Sequence, residues 1–268
     1  MTVPESLKAG RLDDALADLQ QQVRGAPADP KLRIFLAQLL VVLGQWERAL
    51  TQLRVAAELD AGAIPMARTY ESAIRCETLR EQVFAGQRSP LVFGDPEPWI
   101  ALALQAVGRS GAGDHGAAAA LRRDAWADAP TVSGRIDGRA FEWLCDADSR
   151  LGPLLEGIVN GKYYWIPVHR IARIAIEAPA DLRDLVWMPA HFTWTNGGEA
   201  VGLIPTRYPG SEASDDAGIR MARKTEWVEV APGEYHGLGQ RIFATDTDEC
   251  ALMDTREIAF DPIDTASA

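Results

Sequence analysis

The sequence predicts an α + (α+β) chain: a helical array over residues 1–130, then an α+β domain with a mostly antiparallel sheet over 131–268. Three observations predict this. Gly10-Arg11-Leu12-Asp13-Asp14-Ala15-Leu16 returns 34 residues later as Gly44-Gln45-Trp46-Glu47-Arg48-Ala49-Leu50, in register at the small and apolar positions. Helical spacing of apolar residues persists as far as Ala129-Pro130. Beyond it the pattern becomes short β-prone runs between Gly- and Asn-rich turns.

A 34-residue period is the length of a tetratricopeptide helix–turn–helix unit. Residues 5–60 read as three consecutive amphipathic helices closed by the turn Asp60-Ala61-Gly62. One full repeat starts near Pro30, with apolar or small places at Leu36, Ala37, Leu40, Ala49, Leu53 and Ala56. Ala37, Ala49 and Ala56 must be small because helices approach closely there, and larger side chains would force them apart. The repeat before it is truncated: its second helix is Leu12–Val23, and Thr2–Ala9 is a short, frayed first helix. Ile64–Ala85 continues as helix through Tyr70, Ala73, Ile74, Leu79 and Val83. After the breaks at Ser89-Pro90 and Gly94–Pro98, Trp99–Val107 and Ala117–Ala127 form a degenerate pair around a long Gly-rich turn, Gly108 to Gly116.

A short hinge near 128–133 leads into the second domain. Ser133–Trp143 reads as a hairpin with a Gly-framed turn between alternating apolar positions, and Asp148–Asn160 as a helix capped by Asp146 or Asp148 and closed by Asn160-Gly161. Tyr163–Pro167, Ile171–Ile176, Ala200–Ile204 and Glu226–Val230 are strand candidates, with Gly237–Phe243 a further one. Asn196-Gly197-Gly198 and Tyr208-Pro209-Gly210-Ser211 are turns.

Composition bounds the function. The net charge is −11, with 14 basic and 16 acidic residues up to 130 and 13 and 22 after it. That balance argues against nucleic acid, whose binding rests on Lys and Arg at phosphates, and favours a basic or neutral protein partner. No apolar run reaches the ~20 residues of a membrane helix, and the N-terminus has no signal-peptide pattern, so the cytoplasm is the expected compartment. Cys76, Cys145 and Cys250 are odd in number and far apart, which reads as free thiols.

No constellation commits to catalysis. His169 and His191 lack the spacing of a helical metal pair, and His115 and His236 sit in Gly-rich turns. Asp246, Asp248, Glu249 and Asp254 lack the glycine and spacing of an EF-hand loop and read as a solvated acidic loop. No P-loop, nucleophile elbow or dinucleotide fingerprint is present, and neither a cofactor nor a metal is expected. An enzyme reading would require His169 or His191 to meet Glu177 or Glu199 in a concave pocket. A generic peptide-holding co-chaperone would require Lys31, Arg33, Arg68 and Arg75 to converge on the concave helix faces. Trp143, Trp165, Trp187, Trp194 and Trp227, five of eight tryptophans, crowd the second half and read mainly as core.

Four blocks have an uncommon order: Asp148-Ser149-Arg150-Leu151-Gly152-Pro153, Asn160 to Pro167, Asp181 to Ala190 and Leu203 to Glu212. Together, behind a short tetratricopeptide-like region, they resemble the ImpE/SciE family, also called TagJ, accessory proteins of bacterial type VI secretion. The resemblance implies a non-catalytic cytoplasmic adaptor that binds an N-terminal helix of the small contractile-sheath subunit. It also implies a link from the sheath to assembly, or to recycling by the associated AAA+ ATPase. A partner helix needs a groove, which the concave face of 5–127 or the exposed side of the Trp-rich sheet would supply. Arg183, Asp184, Arg207 and Tyr208, with Trp187, are the candidate partner-binding residues, because a generic core does not require polar side chains in those blocks.

Overall fold

A computed structural model describes residues 2–262; the last six residues of the predicted second domain lie outside them. The array comprises α1 (Val3–Lys8), α2 (Leu12–Gly25), α3 (Pro30–Val42), α4 (Trp46–Leu59) and α5 (Ile64–Phe84), then α6 (Pro98–Gly111) and α7 (His115–Asp128). Its punctuation is chemical. Asp29 caps α3 by accepting the Lys31 and Leu32 N–H groups, with Pro30 at the first turn. Gly44 closes α3 at φ +66°, its N–H on the Val41 carbonyl and the Gln45 N–H on that of Leu40. Those two bonds satisfy the last carbonyls of the helix in a Schellman motif. Gly10 and Gly113 close α1 and α6 with the same pair of bonds, so the 34-residue echo is a repeated helix stop. The α6–α7 turn is Ala112–Asp114, as short as the α3–α4 turn; the long Gly-rich turn is corrected, because Gly108 and Gly111 stay helical. Ala37, Ala49 and Ala56 are buried, where small residues were required. Helix α1 has a Thr2/Glu5 capping box, and its final carbonyls, Leu7 and Lys8, accept from Arg223 of the second part.

The second part contains most of a nine-stranded sheet. In chain order the strands are β1 (Leu91–Val92), β2 (Gly134–Ile136), β3 (Arg139–Phe141), β4 (Leu144–Asp146), β5 (Leu154–Val159), β6 (Lys162–Pro167), β7 (Ile171–Ile176), β8 (Trp187–Trp194) and β9 (Glu199–Pro205). There follow the one-turn helix α8 (Ala217–Arg220), β10 (Thr225–Ala231), β11 (Glu234–Gly239), β12 (Ile242–Thr245), β13 (Glu249–Ala251) and β14 (Glu257–Phe260). The large sheet runs β1-β6-β5-β9-β8-β7-β14-β2-β3, and every pairing is antiparallel except β1 on β6. A three-stranded sheet, β13-β12-β4, and a two-stranded ribbon, β10-β11, complete it.

Residues 148–160 are not a helix. Asp148–Pro153 is a pair of turns and Leu154–Val159 is strand β5, buried along its whole length. Asn160-Gly161, both at positive φ, turns β5 into β6 rather than capping a helix. A short unbroken apolar run fits a buried strand as well as a helix, and the Asn-Gly pair is the feature that separates them. Gly237–Phe243 likewise divides into the ends of β11 and β12 around Gly239 at φ +91°.

One apolar core joins the halves: Leu39, Tyr70 and Phe84 of the helices belong to the same cluster as Leu154, Tyr163, Trp165 and Trp187 of the sheet. A second cluster fills the other face of the sheet, around Ile166, Ile174, Phe192 and Ile258.

Candidate functional site at the helix–sheet junction

Helix α5 places Tyr70, Glu77, Arg80 and Phe84 against the sheet, on the spacing of one helical face. Arg80 is buried, and its guanidinium holds Glu156 of β5 at both oxygens, at 2.6 and 2.9 Å, the Arg207 carbonyl at 2.7 Å and Glu77 at 3.2 Å. Glu156 also accepts from Arg241 and from the Tyr163 hydroxyl. Burial would push the Glu156 carboxyl up, but Arg80 and Arg241 hold it down at about 2. Asp146, which also pairs with Arg241, is pushed up to about 6 by burial, against the pull of that arginine. Every charge in this cluster has a partner, which is the condition for ions inside a core.

The candidate partner-binding residues fall in and around this cluster. Trp187 is fully buried, lies between Trp46 and Tyr70 at centroid distances of 6.2 and 5.8 Å, and donates its indole N–H to Glu77 at 2.8 Å. Arg207 is buried and donates to the Val42 carbonyl at 2.7 Å and to that of Val41 at 3.4 Å, the last carbonyls of α3. Burial lowers Arg207 to about 10, with Glu212 and Glu77 opposing. The Tyr208 hydroxyl lies 3.0 Å from Asp146 Oδ1 and accepts the Ile242 N–H at 3.0 Å. Asp184 is buried and caps the 3-10 turn Leu182–Leu185 by accepting the Ala180 and Asp181 N–H groups. Arg183 is the most exposed of the five: it pairs with Asp181 and lays its guanidinium 4.5 Å from the Tyr70 ring centre.

The sheet therefore meets the helical array at Trp187, against Trp46 and Tyr70, and at Arg207, on the end of α3. A shallow trough of about 490 Å³ remains beside that seam, between Leu7 of α1, Phe35 and Gln38 of α3 and Leu182 and Leu185 of the 3-10 turn. Gln38 also borders a separate apolar gap of about 10 Å³, no larger than one water, closed in by Ile34, Ala37, Val41, Tyr70, Arg183 and the buried Trp187. Arg183 is thus the one partly exposed candidate beside the trough, whereas Trp187, Asp184, Arg207 and Tyr208 lie inside the protein.

The other constellations do not assemble. His169 pairs with Glu97 at 3.0 Å, and His191 lies 3.8 Å from Glu177 with both side chains exposed rather than in a pocket. Arg33 donates to the Pro27 carbonyl and Gln52, and Arg75 pairs with Glu71, so the four basic side chains do not converge on a peptide carboxylate. Asp248 pairs with Arg139, and Asp246 accepts the Glu142 N–H. Among the described residues no group of three or more His, Cys, Asp or Glu could hold a metal ion, and no helix is long and apolar enough to cross a membrane. Sequence reasoning missed Glu77, Arg80, Glu156 and Arg241; the available signal was charge inside otherwise apolar faces, as with Glu156 in Leu154–Val159.

Comparison with known proteins fits this architecture. A tetratricopeptide-repeat model matches residues 6–69, and the ImpE protein model matches residues 138–259. The type VI secretion system accessory component TagJ of Pseudomonas aeruginosa is 52% identical over 264 residues, covering 98% of this chain and 92% of that protein. The chain belongs to the ImpE family. The fold extends to a more distant protein, VPA1032 of Vibrio parahaemolyticus. Its crystal structure superposes with a TM-score of 0.87 at 23% identity, covering 97% of this chain and 98% of that one. Within the ImpE family frame, Asn160–Pro167 and Asp181–Ala190 are the turn-and-strand segments that build the junction described above.

Proposed function

We propose that this ImpE-family chain is a non-catalytic, cytoplasmic adaptor of type VI secretion. It docks an N-terminal helix of the small sheath subunit and links that subunit to sheath assembly or to recycling by the AAA+ ATPase. The observation that carries the proposal is the shallow trough between Leu7, Phe35, Gln38, Leu182 and Leu185, beside the seam filled by Trp187 and Arg207. An amphipathic helix with apolar residues at i, i+3/i+4 and i+7 would lie in such a trough. The relationship to TagJ, an accessory component of the secretion system, supports the same role.

The test is co-purification of the full chain with the small sheath subunit. Retention should be lost when the first helix of that subunit is deleted, and weakened by Phe35→Glu in this chain at unchanged circular dichroism. Full retention of the helix-deleted subunit would remove the proposal.

A further inference from the structure

Among the described residues, three of the seven large apolar side chains that stand exposed, Trp227, Val228 and Tyr235, lie on the β10–β11 ribbon. The main-chain bonds around them show which edge of the ribbon is unpaired. On β11, the N–H groups of Tyr235, Gly237 and Gly239 are taken by Ser149 Oγ, Asp148 Oδ2 and Ser211 Oγ at 2.8–2.9 Å. The Tyr235 and Gly239 carbonyls accept from Ser149 and Tyr208. These three residues therefore turn their backbone groups away from β10. Their partners across the ladder are Glu229, Trp227 and Thr225. In an antiparallel pair, residues opposite one another either exchange both bonds or both point outward. Trp227 and Glu229 consequently present their N–H and C=O groups on the free edge of β10, and among the described residues no main-chain group of another element reaches them.

We propose that this edge is a docking site for an extended polypeptide segment of a partner protein, added as a third strand beside β10 with the local order basic–apolar–apolar–basic. Charge complementarity supplies the order. From Glu226 to Glu229 the edge reads acidic, Trp227, Val228, acidic, with all four side chains exposed. Glu226 shares Lys224 with Asp216, while Glu229 faces no cation within ion-pair distance among the described residues. A basic side chain beside each glutamate and an apolar one beside Trp227 and Val228 fits in either strand direction, because the order is palindromic. Opposite-charge and aromatic–β-branched neighbours are the pairs that stabilise such ladders. Main-chain bonds supply the affinity of strand addition and alternating side chains its specificity. The chain's net charge of −11 favours the same kind of segment. The site does not depend on the helix-docking trough.

The test is fluorescence anisotropy of the full chain with a labelled peptide of sequence Thr-Lys-Val-Val-Lys-Thr. Binding should be saturable. It should weaken by about tenfold or more for the peptide N-methylated at alternate residues, for Thr-Glu-Val-Val-Glu-Thr, and for the surface variant E226K/E229K at unchanged circular dichroism. Equal binding of the N-methylated peptide would reduce the contact to charge attraction and overturn the proposal. So would absence of binding together with a concentration-dependent dimer, lost on Val228→Glu, which would assign the edge to a second copy. Absence of binding with a monomer would overturn it as well.

Discussion

Arg80 and Glu156, 76 residues apart in the chain, meet in a two-point ion pair at 2.6 and 2.9 Å with both side chains buried. One belongs to the helical array and the other to the sheet, and the guanidinium also donates to Glu77 and to the Arg207 carbonyl. The pair ties a helix face to a strand at a fixed register. The apolar cluster shared by both halves makes that tie part of a common core.

Arg80→Met removes one side of this arrangement and leaves Glu156 with Arg241 and Tyr163, and Glu77 with the Trp187 indole alone. Breaking a buried pair by deleting one partner costs roughly 3–5 kcal/mol, because the other charge stays buried. Urea unfolding followed by tryptophan fluorescence and by far-ultraviolet circular dichroism should show that loss in one transition common to both probes. Two separated transitions would mean that the helices and the sheet unfold independently.

Gly44 closes α3 at φ +66°, and a Cβ there would come within 2.7 Å of the Glu212 side chain. Gly44→Ala meets the left-handed penalty of about 1–2 kcal/mol, plus whatever the displacement of Glu212 adds. Gly113 has the same backbone sign with open space around it, so Gly113→Ala should lose only the backbone part. Thermal denaturation of the two variants separates strain from contact.

Arg183 and Asp184 are neighbours with different expected phenotypes. Arg183 lies over Tyr70 beside the trough and pairs with Asp181 near the surface; its loss costs about 0.5–1 kcal/mol of cation–π contact. Arg183→Ala should therefore lower stability by no more than that while weakening retention of the sheath-subunit helix proposed above. Asp184→Ala strips the cap from the 3-10 turn and should lower stability by about 1 kcal/mol. Equal loss of retention in both, at equal loss of stability, would argue against a direct contact by Arg183.

What was legible in the sequence was local chemistry. Gly10 and Gly44 mark helix ends because a left-handed C-terminal residue favours glycine, and Gly138 and Gly197, both at positive φ, mark turns for a related reason. Leu154–Val159 was misread because its residues, buried on both faces, carry no period-2 signal. Strand β8 was missed because Pro189 lies within it, a residue that argues against a central strand. The junction was illegible for another reason. Arg80, Glu156, Arg207 and Arg241 are brought together by topology, and no spacing along the chain encodes their meeting. The block residues Asp184, Arg207 and Tyr208 looked free for a partner because their polar atoms had no visible local use. The structure supplies that use in a helix end, a turn and Asp146.

His236 gives the chain a defined acid response. Its ring stands 5.6 Å from that of His115 on α7, faces Arg150, Arg122 and Asp148, and leaves Nε2 buried without a partner. Burial, with Arg150 next, lowers it to about 4 from an ordinary 6.5. Between those two values the unfolded chain binds a proton that the folded chain does not, so stability rises with pH across the window. The contribution is present above pH ~6.5 and is lost as pH falls toward ~4. Asp146, pushed up to about 6 by burial against the pull of Arg241, acts in the opposite sense between its ordinary value and that one. It binds its proton more readily in the folded state, and its contribution is lost as pH rises through about 6. His236→Gln removes the first term and keeps the second. Melting temperatures measured from pH 7 to pH 4 should therefore fall less steeply for this variant than for the parent chain. Parallel curves would show that His236 is not the group whose protonation weakens the packing of α7 on the ribbon.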